Sequence, residues 1–181
     1  MGRYVALLRG INVGGNNVIP MKDLKATFEG LGFAAVRTYI QSGNVLFDSD
    51  AADPRALEVR VEKAVKKRHR CETPVVVRTA AELRKLVRSL PRSWQKPDPA
   101  RRYYVLFLRH TIDDEAVLEQ LVPAPDVETI TYLGGALLWD ASIRDLGRSK
   151  IARALTKKAI YAHVTVRNLN TTRKIEALLD A

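Results

Sequence analysis

Three stretches from the first half of the sequence return, in the same order, in the second half. Tyr4-Val5-Ala6-Leu7-Leu8-Arg9 comes back as Tyr104-Val105-Leu106-Phe107-Leu108-Arg109. Ser42-Gly43-Asn44-Val45-Leu46-Phe47-Asp48 comes back as Gly134-Gly135-Ala136-Leu137-Leu138-Trp139-Asp140, and Pro74-Val75-Val76-Val77-Arg78 as His163-Val164-Thr165-Val166-Arg167. Echoes in a fixed order mark a duplication, so the two halves are expected to share one fold. Each echo is built on an apolar run, which is how a buried strand reads.

The segments between the echoes are helical. Met21, Leu24, Phe28 and Leu31 recur at helical spacing and Gly32 closes that helix. Residues 36–40 and 45–47 read as a hairpin around Ser42-Gly43-Asn44. Asp53-Pro54 supplies a cap and a first-turn proline for a helix with Leu57, Val61, Ala64 and Val65 on one face. After residues 74–78, Thr79 and Glu82 have capping-box spacing before Leu83, Leu86, Val87 and Leu90. The second half predicts a short helix at 113–121, a strand at 128–132 and a helix carrying Ile151, Leu155 and Ala159. A last helix carries Ile175, Leu178 and Leu179, capped by Asn170 or Thr171. The order β-α-β-β-α-β plus a trailing helix, given twice, predicts an α+β chain made by tandem duplication of a ferredoxin-like plait, each copy followed by an extra helix. The expected copies are residues 1–90 and 102–181. Residues 91–101, with Pro91, Pro97 and Pro99, read as a linker.

That topology puts the first strand-to-helix loop and the hairpin turn at the same end of the sheet. In the first copy these are Arg9-Gly10-Ile11-Asn12-Val13-Gly14-Gly15-Asn16-Asn17 and Gln41-Ser42-Gly43-Asn44. A loop leaving a strand for a helix can aim backbone N–H groups at an anion, and glycines allow close approach. Arg9 adds a fixed positive fork, while Asn12, Asn16, Gln41, Ser42 and Asn44 add orientable donors and acceptors. Arg9, Asn12, Gly14, Gly15, Asn16, Gln41, Ser42 and Asn44 are therefore the candidate ligand-binding residues. The glycines fit neither GxGxxG nor a Walker loop, so the same residues also read as ordinary turn chemistry. Arg167, Asn168 and Thr171 form a second candidate patch before the last helix.

The balance of 30 Lys and Arg against 20 Asp and Glu, a net charge of +10, favours anionic small molecules or nucleic acid as partners. Basic residues gather on two helices: Arg55, Arg60, Lys63, Lys66, Lys67, Arg68 and Arg70 in the first copy, and Arg148, Lys150, Arg153, Lys157 and Lys158 in the second. They fit a solvated face or a stripe that tracks phosphates. RNP-type aromatics are missing, which disfavours base reading from the sheet. Cys71 stands alone, and His69, His110 and His163 lack metal-ligand spacing, so neither a metal nor a cofactor is expected. Ser42 has no nameable base, and Asp48 and Asp140 are repeat equivalents at strand ends. No stretch approaches the ~20 apolar residues of a membrane span, and a cytoplasmic protein without membrane contact is expected.

Ala6-Leu7-Leu8-Arg9-Gly10-Ile11-Asn12-Val13-Gly14-Gly15, then Ile19-Pro20-Met21, then Arg37-Thr38-Tyr39-Ile40-Gln41-Ser42-Gly43-Asn44-Val45, resembles the domain-of-unknown-function 1697 family. Thr165-Val166-Arg167-Asn168 with Asn170-Thr171 is similar to that family's C-terminal segment, with Leu169 where the family usually has Trp. The resemblance implies two plaits and a mostly bacterial cytosolic protein, and it implies no reaction. The residues themselves favour a binding module for a phosphate-bearing ligand, nucleotide or nucleic acid. An enzyme acting on a small phosphorylated or carboxylated substrate, and a structural or dimerising domain, remain alternatives.

Overall fold

In the computed structural model, which describes residues 1–15, 17–156 and 162–180, strands and helices follow the sequence pattern closely. The order is β1 (Gly2–Leu8), α1 (Met21–Glu29), β2 (Ala34–Tyr39), β3 (Asn44–Ser49), α2 (Pro54–His69), β4 (Val75–Thr79), α3 (Ala80–Arg88) and α4 (Arg92–Gln95). It continues with β5 (Arg101–Leu108), a 3₁₀ turn (Glu115–Gln120), β6 (Glu128–Tyr132), β7 (Ala136–Ser142), a 3₁₀ turn (Leu146–Arg148), α5 (Lys150–Ala154), β8 (Val164–Asn168) and α6 (Leu169–Asp180). The protein is mixed α+β, with two four-stranded antiparallel sheets ordered β2-β3-β1-β4 and β6-β7-β5-β8. Two compact units result: Met1–Leu83 joined by the chain from Ile175 on, and Arg84–Lys174. Both boundaries fall inside the trailing helices α3 and α6.

The sequence echoes fall on matching sheet positions. Tyr4 pairs with Phe47 and Thr79, and Tyr104 with Trp139 and Asn168. The two cross-strand aromatic pairs stack alike, at 5.6 Å between Tyr4 and Phe47 and 4.9 Å between Tyr104 and Trp139. Val5 faces Arg78 in register as Val105 faces Arg167.

In the first unit Tyr4, Ala6, Leu8, Val45, Phe47, Val75 and Val77 form one core with Leu24 and Phe28 of α1 and Leu57, Val61 and Val65 of α2. Val5, Leu7, Leu46 and Val76 are buried as well, which is why β1 reads as an unbroken apolar run rather than an alternating one. In the second unit Leu106, Leu108, Leu137, Trp139 and Val164 pack with Val117, Leu121 and Ile151.

Local chemistry sets the element ends. Asp53 accepts from the Arg55 N–H at 2.9 Å with Pro54 in the first turn of α2. Thr79 and Glu82 close a reciprocal capping box: the Thr79 hydroxyl accepts from the Glu82 N–H at 3.0 Å, and the Glu82 carboxylate accepts from the Thr79 N–H at 2.7 Å. Helix α6 departs from expectation, because Asn168 is its cap and accepts from the Thr171 N–H at 2.7 Å. Neither Asn170 nor Thr171 can cap, since β8 runs straight into the helix and both already lie within it. The short helix expected at 113–121 is a 3₁₀ turn capped by Asp114. Helix α5 stops at Ala154, and Ala159, Lys157 and Lys158 lie outside the described residues. Residues 91–101 hold α4, with Trp94 buried, and the first residue of β5.

Candidate functional site

The loop after β1 and the β2–β3 turn meet at one end of the first sheet. The Leu8 N–H donates to the Gly43 carbonyl at 2.8 Å, and the Asn12 amide donates to the Gln41 carbonyl at 2.9 Å. Gly43 has a reason to be glycine. Its φ is +74°, and a Cβ there would sit 2.9 Å from Leu8 Cβ and from Ile11 side-chain carbons.

Asn12 is the clasp. It holds φ +55°, and its side chain also donates to the Ile19 carbonyl at 2.9 Å and accepts from the Ile19 N–H at 2.7 Å. One side chain thus bonds both sides of the loop's return to α1 and the hairpin turn. Asn44 is fully buried and donates to the Tyr39 carbonyl and the Ser42 hydroxyl, each at 3.1 Å. Arg9 sits at the base, half-buried, its N–H on the Pro74 carbonyl at 3.1 Å and its own carbonyl accepting from the Thr73 hydroxyl. Gly14 (φ +59°) and Gly15 (φ +76°) project beyond this clasp, with nothing within 4 Å of where a Cβ would stand. The Gln41 side chain is exposed. Asn16 lies outside the described residues. Val13, Val18 and Ile40 on the same two segments are 60%, 70% and 49% exposed.

The second unit closes the same end with a carboxylate, while Arg109 takes the place of Arg9. Leu108 N–H donates to the Gly135 carbonyl at 3.1 Å, and Asp113 accepts from the Gly135 N–H at 2.8 Å and the Tyr132 hydroxyl at 3.0 Å. Burial and this carboxylate push the Tyr132 phenol above its ordinary value.

Two residues of the second patch, Arg167 and Thr171, are buried, and the third, Asn168, is exposed. Arg167 is buried and donates to the Thr165 hydroxyl at 3.0 Å and the Val166 carbonyl at 2.8 Å. Burial pulls its guanidinium down to about 10, which leaves it cationic at neutral pH. Thr171 is buried, and Asn168 is occupied as the cap of α6. Asn168 and Asn170 border an open cleft of about 320 Å³ whose other walls include Arg102, Tyr103 and Tyr104.

Several ordering residues are not visible in the spacing. Glu58 is buried, accepts from the Val77 N–H at 3.0 Å and lies 4.0 Å from the Arg78 guanidinium. Glu128 accepts from the Ala124, Lys150 and Ile151 N–H groups at 3.0, 2.8 and 3.1 Å, from the Trp139 indole at 3.0 Å and from the Ser149 hydroxyl. The signal for the buried arginines was the echo itself, which repeats Arg78 as Arg167. Among the described residues no group of three His, Cys, Asp or Glu could hold a metal ion, and no helix is long and apolar enough to cross a membrane.

A solved structure of a conserved bacterial protein from Streptococcus pneumoniae is similar throughout: 28% identity, 98% of each chain covered, TM-score 0.84. A second, of an unknown protein from Galdieria sulphuraria, aligns over 92% of this chain and 96% of that one at 15% identity, with a TM-score of 0.29. No curated protein matches the chain. The match of residues 1–139 to the family model described as protein of unknown function (DUF1697) shows that this chain belongs to that family.

Proposed function

We propose that the protein is a binding module for a phosphate-bearing ligand, a nucleotide or nucleic acid, seated on the edge formed by residues 9–17 and 41–44. We further infer that this edge belongs to the first of two ferredoxin-like plaits, copies spanning 1–90 and 102–181. Support for the duplication is the shared strand order and the matching registers of Tyr4 and Tyr104.

The observation that carries the binding reading is the Gly14-Gly15 backbone, held at positive φ and open to solvent by a clasp built from Asn12. A loop that served only to connect β1 to α1 needs no such projection. Arg9 below and the net charge of +10 favour an anion there. The competing reading, a purely structural edge, draws on the bonding of Asn12 and Asn44 to backbone.

A thermal-shift screen with nucleotides, phosphosugars and short oligonucleotides tests the proposal. A ligand at 100 times its Kd adds about 2.7 kcal/mol of stability. Gly15→Asp sets a carboxylate in the open space, in a backbone region that Asp tolerates, and Gln41→Ala removes an exposed amide. Both variants should fold and lose the response. A response to nucleotides or phosphosugars that survives both substitutions, or no response from any ligand class, overturns the binding reading.

A further inference from the structure

Helix α2 carries a second, separate surface, and we propose that it docks the phosphate backbone of duplex nucleic acid without reading sequence. The inference does not rest on the ligand edge described above.

The helix is 16 residues long and buries Leu57, Val61 and Val65. At 100° per residue, Arg60, Lys63 and Lys67 fall within one arc on the side away from those three; Arg70 follows as the left-handed C-cap just past the helix end (φ +54°), and all four are exposed. Arg55 and Lys66 flank them. Over ten residues at ~1.5 Å each the stripe is about 15 Å long. A duplex presents one charge per about 1.7 Å of its axis, so several phosphates lie within its reach.

The absence of acids from that face sharpens the argument. Glu58 and Glu62 are the acids of α2, and both turn to the edge of β4, where Glu58 accepts from Val77 N–H at 3.0 Å and Glu62 from Val75 N–H at 2.9 Å. Their charge is spent on the sheet edge. Glu72 pairs with Lys66, and Arg60 bonds the Leu31 carbonyl while lying 5.0 Å over the Phe33 ring. Lys63, Lys67 and Arg70 have no side-chain partner among the described residues. The negative C-terminal end of the helix accounts for cations at 66–69, which lie in the last turn. It does not account for Arg60 and Lys63 farther back, nor for the inward turn of both acids.

The helix offers nothing to a bilayer, because its apolar face is in the core and Val59 is the large apolar side chain exposed on it. Its outer face carries no aromatic residue, so stacking on single-stranded bases is not available. The second unit lacks an equivalent among the described residues: Arg148 pairs with Asp145, and Arg153 bonds the Ser149 and Arg148 carbonyls.

The test is fluorescence anisotropy of a labelled random-sequence duplex from 20 to 200 mM salt. About four phosphate contacts predict a slope of log K against log salt near −4, so a fourfold rise in salt weakens binding roughly 200-fold. Lys63→Gln with Lys67→Gln should make the slope shallower by about two and weaken binding at least tenfold at 50 mM, and the corresponding Lys→Arg pair should restore both. Gly15→Asp should leave duplex binding as it was, which separates this surface from the ligand edge. Absence of duplex binding at 20 mM salt, or a slope unmoved by the Lys→Gln pair in a variant that melts with the wild type, overturns the proposal. Binding to phosphatidylserine vesicles in place of duplex overturns it as well.

Discussion

Glu128→Gln is the most informative perturbation of the second unit, because it changes one oxygen and leaves the shape. The wild-type carboxylate receives five hydrogen bonds, three on Oε1 from backbone N–H groups and two on Oε2 from Trp139 and Ser149. An amide oxygen can inherit the three backbone bonds. Its NH2 then meets the Trp139 indole N–H, a donor that cannot reverse, whereas the Ser149 hydroxyl can rotate to accept. One indole is left unsatisfied, and the remaining bonds no longer go to a charge. At about 1–3 kcal/mol for a buried orphaned donor, and somewhat under 1 kcal/mol lost from each weakened bond, the total is about 3 kcal/mol. Glu128→Ala, which orphans all five donors, should exceed that. Urea unfolding followed by Trp fluorescence reads both. The wild-type carboxyl adds a pH signature. Burial alone would raise its pKa, but the bonds from Ser149 and the three N–H groups outweigh burial and hold it below the ordinary value. Its stabilisation is therefore present above the unfolded carboxyl pKa, about 4.3, and is lost as pH falls through the lower folded value. The gap between wild type and Glu128→Gln should narrow in acid. A gap under 0.5 kcal/mol at pH 7, or one that widens in acid, refutes the reasoning.

Asn12→Ala removes the side chain's bonds to Ile19 and Gln41 and its weaker one to the Met21 sulfur, and should cost about 2 kcal/mol in chemical denaturation, whereas the exposed Gln41→Ala should stay within about 0.5 kcal/mol. Gly43→Ala combines an unfavourable positive φ with overpacking against Leu8 and Ile11, and its melting should show a loss of about 2–4 kcal/mol. Burial raises the Cys71 thiol, so Ellman's reagent should label it slowly in native protein and at once in denaturant. Burial and Arg68 hold His69 below 6.5. With the Thr27 hydroxyl proton given to the Asp23 carbonyl, the His69 Nε2–H donates to Thr27. NMR titration should place His69 below 6.5, and its contribution to stability, present above 6.5, should fade as pH drops through the folded value.

Much of the fold was legible because its signals are local. The cap at Asp53, the box of Thr79 and Glu82, and the apolar runs of β1 and β5 need only a few neighbouring residues to be read. The cap of α6 was misplaced because a strand that runs directly into a helix leaves no loop to mark the junction, and Asn168 belongs to both. At the candidate edge, topology placed the two loops together, yet composition could not say where each amide points. Asn12 and Asn44 turn inward to backbone while Gly14 and Gly15 stay open. Glu58 and Glu128 were illegible for a related reason: a buried acid is recognised by the donors that surround it, and those come from 19 residues away for Glu58 and, for four of the five on Glu128, from 11 to 23 residues away.

The first compact unit is completed by residues from Ile175 on, where Arg3 bonds the Leu179 carbonyl and Arg37 the Leu178 carbonyl, both at 2.8 Å. On a ribosome, this rules out strict one-domain-at-a-time assembly. β1 through α2 emerge early but lack their last contacts until the whole of Arg84–Lys174 has been made. A nascent chain arrested near residue 90 should therefore be open to protease where the released protein is closed. Arrest sites moved step by step toward the C-terminus should show protection arriving late, with a single final increment after residue 174.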